Sequence, residues 1–191
     1  MIVSPVEEKA RLRAALRARL TELPASTLEA AGRELREAIL VEPAFWTAET
    51  VFCYVSTARE PDTLPLLRAV MESGRRLVVP RCREGGEMDA AEIRSLTELR
   101  PGRYGIPEPS EEAPVVSPEQ ISLALIPALA LGPDGTRLGK GGGYYDRYLP
   151  GLRCPIWGLA WFFCALPTAG HDIPVSRCFV PRDTAWRKDA L

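Results

Sequence analysis

The stretch that decides the fold runs from Thr50-Val-Phe-Cys-Tyr-Val-Ser56 to Arg76-Leu-Val-Val-Pro80. Each end is a short apolar run that reads as a buried strand. Between them the pattern predicts a helix over residues 63–73, closed by Gly74. Strand, helix and strand make a βαβ unit, whose strands run parallel through a right-handed crossover. The chain is therefore expected to be α/β, a single domain with a mostly parallel sheet flanked by helices. Leu123-Ala-Leu-Ile-Pro127 and Ile156 to Trp161 add strands, with shorter ones at Met88–Ile93 and near 177–180.

Two helices are expected ahead of this unit. Residues 7–21 carry Leu12, Leu16 and Leu20 at i+4 spacing. Ser26-Thr27-Leu28-Glu29 reads as a capping box opening the second, with Leu28, Ala31, Leu35 and Ile39 inward. Residues 110–120 are acidic and polar and read as a surface segment. Residues 143–149 are expected to be helical and are ended by Pro150-Gly151.

Composition bounds the function. The 191 residues suit one domain, with 46% hydrophobic and 26% charged residues. A net charge of −1 supplies no field for nucleic acid or an acidic membrane, and neither is an expected partner. No apolar run is long enough to span a membrane, and no signal-peptide core is visible. The five cysteines form no CxxC pair and there is one histidine, which argues against zinc. Scattered, odd-numbered cysteines fit a reducing cytoplasm.

The chemistry concentrates in Gly135-Thr-Arg-Leu-Gly-Lys-Gly-Gly-Gly-Tyr-Tyr-Asp146. Glycine at this density suits tight turns or close approach to backbone N–H groups. Successive N–H donors make an anion nest, and Arg137 and Lys140 add full charges. The Walker A pattern does not fit, because three residues separate Gly135 from Gly139 and a glycine follows Lys140. The dinucleotide fingerprint lacks its third glycine in register. A plain surface turn is the alternative.

Other candidates lie far away in sequence. In open α/β sheets ligands bind beyond the carboxyl ends of strands, where Glu60, Asp62 and Arg81 stand. Asp62 has a structural role available as a helix cap; Glu60, before Pro61, has none. On the first helix Lys9 continues the leucine stripe and Arg13 borders it, so both sit near packed protein. Tyr104 lies in a turn-rich loop and could stack on a flat ring or pack under that loop. Met88 reads as core, and His171 as a loop histidine. Asp146 and Asp172 are a sufficient carboxylate set for Mg²⁺ alongside phosphate oxygens and water.

Taken together these stretches resemble the 5-formyltetrahydrofolate cyclo-ligase family, also called methenyltetrahydrofolate synthetases. The match is carried by residues 135–146 with Tyr148-Leu149, by Lys9 and Arg13, and by Glu60-Pro-Asp-Thr63. Pro80-Arg81, Met88-Asp89, Gly105-Ile-Pro-Glu-Pro109 and His171-Asp172 follow in family order. The chain departs from the pattern where Pro127-Ala-Leu-Ala-Leu-Gly132 replaces Pro-Gly-Leu-Ala-Phe-Asp. It departs again at Ser176 and Pro181-Arg182, where the family has Asp and a Thr-Glu pair.

The resemblance implies a three-layer α/β/α fold and an ATP-dependent closure of 5-formyltetrahydrofolate to 5,10-methenyltetrahydrofolate. It implies ATP contacts from Lys9, Arg13, Arg137, Leu138, Gly139, Lys140, Gly141, Gly142, Gly143, Tyr144 and Tyr145. Folate contacts are implied for Val55, Glu60, Tyr104, Lys140 and Tyr144. Arg137, Lys140 and Tyr144 would act in catalysis, and Asp146 and Asp172 would hold Mg²⁺. The expected protein is a cytoplasmic monomer with ATP and a reduced folate as its partners. An ATP-dependent ligase for another formyl or amide substrate, or a non-catalytic folate- or nucleotide-binding paralogue, are the alternatives that the departures suggest.

Overall fold

The structure, a computed structural model, describes residues 4–168, 172–183 and 186; the side chain of Tyr104 lies outside that description, as does His171. Helix α1 (Pro5–Glu22) starts on a reciprocal cap: Ser4 Oγ accepts from Glu7 N–H, and the Glu7 carboxylate accepts from Ser4 N–H at 3.0 Å. Its leucine stripe is buried through Leu16 and Leu20.

The capping box expected at Ser26 is absent. Helix α2 (Ala25–Leu40) is entered through Pro24, with no side-chain cap, and Ser26 falls inside its first turn. The link from α1 is so short that the Pro24 carbonyl itself accepts from Thr27 and Leu28 N–H.

A short helix α3 (Pro43–Thr47) leads into β1 (Thr50–Cys53), then α4 (Leu64–Glu72) and β2 (Arg76–Cys82). β1 and β2 pair in parallel, with Thr50 opposite Arg76. β3 (Met88–Ile93) returns antiparallel to β2. β4 (Arg100–Pro101) and β5 (Pro107–Glu108) form a separate two-stranded ribbon. β6 (Val115–Val116) is an edge strand on β3 with Val116 buried, so the polar 110–120 segment holds one strand that its composition conceals.

β7 (Leu123–Leu131) pairs in parallel with β1 and with β9 (Ile156–Phe163). β8 (Arg137–Leu138) folds back on β7, α5 (Tyr144–Tyr148) follows, and β10 (Arg177–Phe179) closes the edge. The eight-stranded sheet runs β10-β9-β7-β1-β2-β3-β6, with β8 on β7. It is mostly parallel and flanked by helices. Helices α1 to α4 pack on one face over Val51, Leu77, Leu123 and Leu159. The opposite face, with Phe52, Val78, Ala124 and Ile126, is covered by α5 and loops, so that layer is thin.

Two features of this sheet create a site. β1 connects to β2 on one side, whereas β7 connects to β9 on the other, so the order reverses between β1 and β7; crevices form at such a reversal. β1 is also shorter than its neighbours. Its last partners are Val78 in β2 and Leu125 in β7, while those strands run on to Cys82 and Leu131. The missing length leaves a notch. Leu125 turns its carbonyl towards β1, accepting from Tyr54 N–H at 3.2 Å. Two residues on, Pro127 faces the same side, where β1 has ended and no donor is needed.

Candidate active site

The notch opens into a cavity of about 1050 Å³. Pro80, Cys82, Pro127, Ala128 and Leu129 line its floor. Six Lys or Arg residues (Lys9, Arg13, Arg17, Arg59, Arg137, Lys140) and four carboxylates (Glu60, Glu108, Asp146, Asp172) face it.

The glycine stretch forms its basic wall. β7, β8 and the turn between them aim the loop across the notch. Gly141 and Gly143 have φ of 101° and 71°, a backbone that residues with a Cβ rarely adopt. Arginines take the loop's carbonyls. Arg13 Nε donates to Gly139 O at 2.9 Å, Arg17 Nη2 to Lys140 O at 3.0 Å, and Arg147 Nη2 to Gly142 O at 2.9 Å. Among the described residues, the N–H groups of Gly141, Gly142 and Gly143 meet no protein acceptor. With its carbonyls held by cations and its amides unpaired, this cavity-lining loop has the makings of an anion nest.

The charged groups are paired with one another. Lys9, 8% exposed, donates to both oxygens of Asp172 at 2.6 and 2.8 Å. Arg137 donates to Asp146 and lies over the Tyr145 ring, 5.5 Å from its centroid. Lys140 reaches Glu60 Oε1 at 2.8 Å, and Glu60 Oε2 accepts from Thr57 N–H at 2.9 Å and Oγ1 at 2.7 Å. Residues from positions 9, 60, 137, 146 and 172 thus meet at one cavity. Burial, followed by the neighbouring Arg17, lowers the Arg13 pKa, as expected where cations crowd. Burial, then Glu60, pushes the Tyr54 and Tyr145 hydroxyls well above their ordinary value, so both stay neutral.

The loop after β1 is held by Thr63. Its Oγ1 donates to Tyr54 O at 2.7 Å, and Ser56 N–H donates to it at 3.1 Å. Tyr54 Oη donates to Pro61 O at 2.7 Å. Arg59 ties this loop to α1 through Leu20 O at 2.8 Å, and Trp161 Nε1 donates to Arg59 O at 2.9 Å. Glu60 is therefore aimed by a fastened loop. Asp62 stays outside the cavity and accepts from Leu64 N–H at the start of α4.

Most other expected residues line the cavity: Val55, Gly139, Tyr144 and Tyr145 do so. Leu138 does not. It is fully buried in the core beneath, so its side chain has no access to a ligand. Arg81, in mid-strand, points away from the cavity to Asp89 and to Ser110 O. Tyr104 lies outside the described side chains. Met88 is buried in the core, as expected, and also lines the cavity. Ile106 and Glu108, quoted only within the stretch 105–109, line it too, as do Cys82, Arg17, Arg59 and Trp161, to which the sequence assigned no site role. Alternation along β2 carries a usable signal: Pro80 and Cys82 share a face that Arg81 does not.

Mg²⁺ favours one or two carboxylates, with phosphate oxygens and water completing the shell. Asp146 and Asp172 fit that donor set, and no cluster of three or more His, Cys, Asp or Glu exists among the described residues to suggest an all-protein cage. Among the described residues, the departures Gly132, Ser176 and Pro181 are not on the cavity wall. Gly132 sits in the β7–β8 turn, donating to Thr136 O at 2.8 Å. Ser176 joins the strand ends, accepting from Ile156 N–H at 3.0 Å and donating to Ile156 O at 2.8 Å. Gly132 and Ser176 are thus engaged locally, whereas Ala128, which stands where the family has glycine, lines the cavity floor.

A model of the 5-formyltetrahydrofolate cyclo-ligase family matches residues 5–181. A Mycolicibacterium smegmatis protein named 5-formyltetrahydrofolate cyclo-ligase is 28% identical over 188 residues, which is 91% of this chain and 94% of that protein. The solved Aquifex aeolicus 5,10-methenyltetrahydrofolate synthetase is 29% identical with a TM-score of 0.81, covering 92% of this chain and 90% of that one. The fold is also that of a 5,10-methenyltetrahydrofolate synthetase from Mycoplasma pneumoniae, with 20% identity, a TM-score of 0.73 and coverage of 90% and 98%.

Proposed function

The chain belongs to the 5-formyltetrahydrofolate cyclo-ligase family, and from that premise we propose that it closes 5-formyltetrahydrofolate to 5,10-methenyltetrahydrofolate, converting ATP to ADP and phosphate, in the cavity at the β1–β7 notch. One observation carries the reading. A single cavity of about 1050 Å³ brings together a glycine loop with cations, a fastened carboxylate, Glu60, and apolar residues. That is room and chemistry for a polyphosphate beside a flat heterocycle.

The reaction asks for positioning and charge neutralisation. The formyl oxygen attacks the γ-phosphorus and ADP leaves. N10 then attacks the activated formyl carbon, loses its proton, and phosphate departs. The Gly141–Gly143 amides with Lys9, Arg13, Arg137 and Lys140 would take the phosphate oxygens. Bound Mg²⁺, held by Asp146 and Asp172, would neutralise phosphate charge. Because those carboxylates rest on Arg137 and Lys9 in the free protein, nucleotide entry exchanges one set of partners for another. Glu60, Val55, Lys140 and Tyr144 would hold the folate, with Lys140 and Tyr144 between the two substrates. Loop amides and cations already gathered at the cavity would lower the cost of reorganisation when charge shifts to the transferring oxygens.

No helix among the described residues is long and apolar enough to cross a membrane. The five cysteines are free thiols, in keeping with a reducing cytoplasm. The direct test follows the absorbance of the methenyl product on mixing protein, Mg-ATP and 5-formyltetrahydrofolate. Product with stoichiometric ADP is expected. ATP turnover without product points to another substrate, and binding of both substrates without turnover points to a non-catalytic protein.

A further inference from the structure

The cavity has a second end that the phosphate chemistry does not use. Pro80 and Cys82 from β2, Met88 from β3 and Ile106 line it, and they are apolar apart from one thiol. Among them stands Glu108, the last residue of β5. It is 8% exposed. Its Oε1 has no hydrogen-bond partner, and it enters no ion pair among the described residues. The nearby arginines are engaged elsewhere: Arg81 with Asp89 at 3.0 Å, and Arg103 with Glu84 at 3.6 Å.

Glu108 is held in place. The chain at Gly102 presses so close that a Cβ there would stand 2.7 Å from the carboxylate carbon. Gly102 N–H donates to Ile106 O at 2.9 Å, which closes the ribbon loop over the side chain. Cys82 lies against the carboxylate; burial, then the bond to Glu108, pushes its thiol up to about 12, so it stays a neutral donor. A buried carboxylate oxygen without a donor costs free energy that a ligand with matching N–H groups would recover.

We propose that Glu108 is a specificity-determining residue that accepts hydrogen bonds from the N3–H and 2-amino groups of the pterin, seating that ring in the notch. The assignment rests on the ligase reading above. A carboxylate at this end repels phosphates, so the occupant is the uncharged part of a substrate. The two substrates differ in what they offer. The pterin edge carries two adjacent donors with the spacing of two carboxylate oxygens, a bidentate match. Adenine pairs its amino group with ring acceptors on either side and cannot satisfy both oxygens. Glu108 thus sorts the rings: pterin in the notch between β2 and β7, adenosine on the α1 side of the glycine loop. It also fixes the face of the pterin from which the N5-formyl group meets the transferred phosphate.

The test measures KM for 5-formyltetrahydrofolate and for its 2-desamino-2-methyl analogue, with ATP as the co-substrate. Wild-type protein is expected to prefer the natural pterin by at least about tenfold, the worth of a charge-assisted hydrogen bond. Glu108→Gln, which can offer only one acceptor, is expected to raise the natural KM by about tenfold and to erase most of that preference, with the ATP KM little changed. A merely structural Glu108 would move both pterins in parallel and leave the preference intact, which overturns the assignment. Equal use of both pterins by wild-type protein overturns it as well, even should the variant not fold. Wild-type protein that makes no methenyl product at all defeats the ligase reading and this assignment with it; normal turnover with an undiminished preference in the variant defeats this assignment alone.

Discussion

Replacing Asp172 with asparagine tests whether the resting ion pairs hold the place of the nucleotide. Asp172 meets Lys9 Nζ through both oxygens, at 2.6 and 2.8 Å, with side-chain exposures of 14% and 10%. At an effective dielectric of about 20 the bare attraction at such distances is about 6 kcal/mol, most of it offset by desolvation. Asp172→Asn keeps the shape and removes the charge, leaving Lys9 with a weak acceptor. The folded protein should lose about 1–3 kcal/mol of stability. Metal-free ATP must displace Asp172 from Lys9 in the wild type, but not in the variant. Its affinity should therefore rise about tenfold, or about 1.4 kcal/mol. If Asp172 also holds Mg²⁺, the gain in ATP affinity on adding Mg²⁺ should shrink in the variant. Titration calorimetry with ATP, in chelator and in Mg²⁺ at matched ionic strength, reads both effects. Unchanged affinity in both buffers would refute the reasoning, because it would mean that the carboxylate neither competes with phosphate nor binds metal.

Three further outcomes follow from the same structure. Glu60→Gln removes the charge that Lys140 and Thr57 hold in place, and steady-state kinetics should show the folate KM rising about tenfold and more than the ATP KM; a larger rise for ATP sinks the assignment of Glu60 to folate. Gly135→Ala should destabilise by about 2–4 kcal/mol in urea titration, because φ is 82° and a Cβ would stand 2.6 Å from Val175 O. Gly74→Ala, at φ 73° with nothing within 4 Å, should lose only about 1 kcal/mol, and equal losses would show that the contact does not matter. Stability should also fall above about pH 9. Folding raises the Cys82 pKa from 9.0 to about 12 and pushes Tyr54 and Tyr145 well above 10.0. The unfolded chain therefore binds fewer protons over that range, and stability, complete below it, declines as pH rises through it. A melting temperature equal at about pH 8 and about pH 10.5 would contradict this.

The parts of the site that were legible in the sequence are those whose residue types announce a backbone or charge requirement. Five glycines interleaved with Arg137 and Lys140 could be read as an anion nest because few other uses need that composition. Glu60 stood out because it follows a strand and precedes Pro61. Lys9 and Arg13 were placed by helical periodicity alone, and they reach the loop and its carboxylates across more than 120 residues of chain. Cys82 and Arg59 carried no such mark, and Glu108 was visible only as part of the family stretch 105–109, with no role attached. A glutamate between prolines and a cysteine at a strand end look like any loop residues until the ribbon folds back over the notch. The Ser26 cap failed for the opposite reason, since the motif was present but the chain entered the helix through Pro24.

By itself the sequence determined the α/β class, the parallel β1–α4–β2 unit, and the basic glycine loop beyond a strand end. Periodicity, turn residues and local charge are short-range properties, and they suffice for these. Only the tertiary structure decided that β1 stops short between two longer strands, and that the sheet order reverses there. Strand length relative to neighbours is a relation between distant segments, set by register, and no local pattern encodes it. The same holds for the pairing of Lys9 with Asp172, Arg137 with Asp146 and Lys140 with Glu60. Coulomb attraction acts over a few ångströms of space, whatever the separation along the chain.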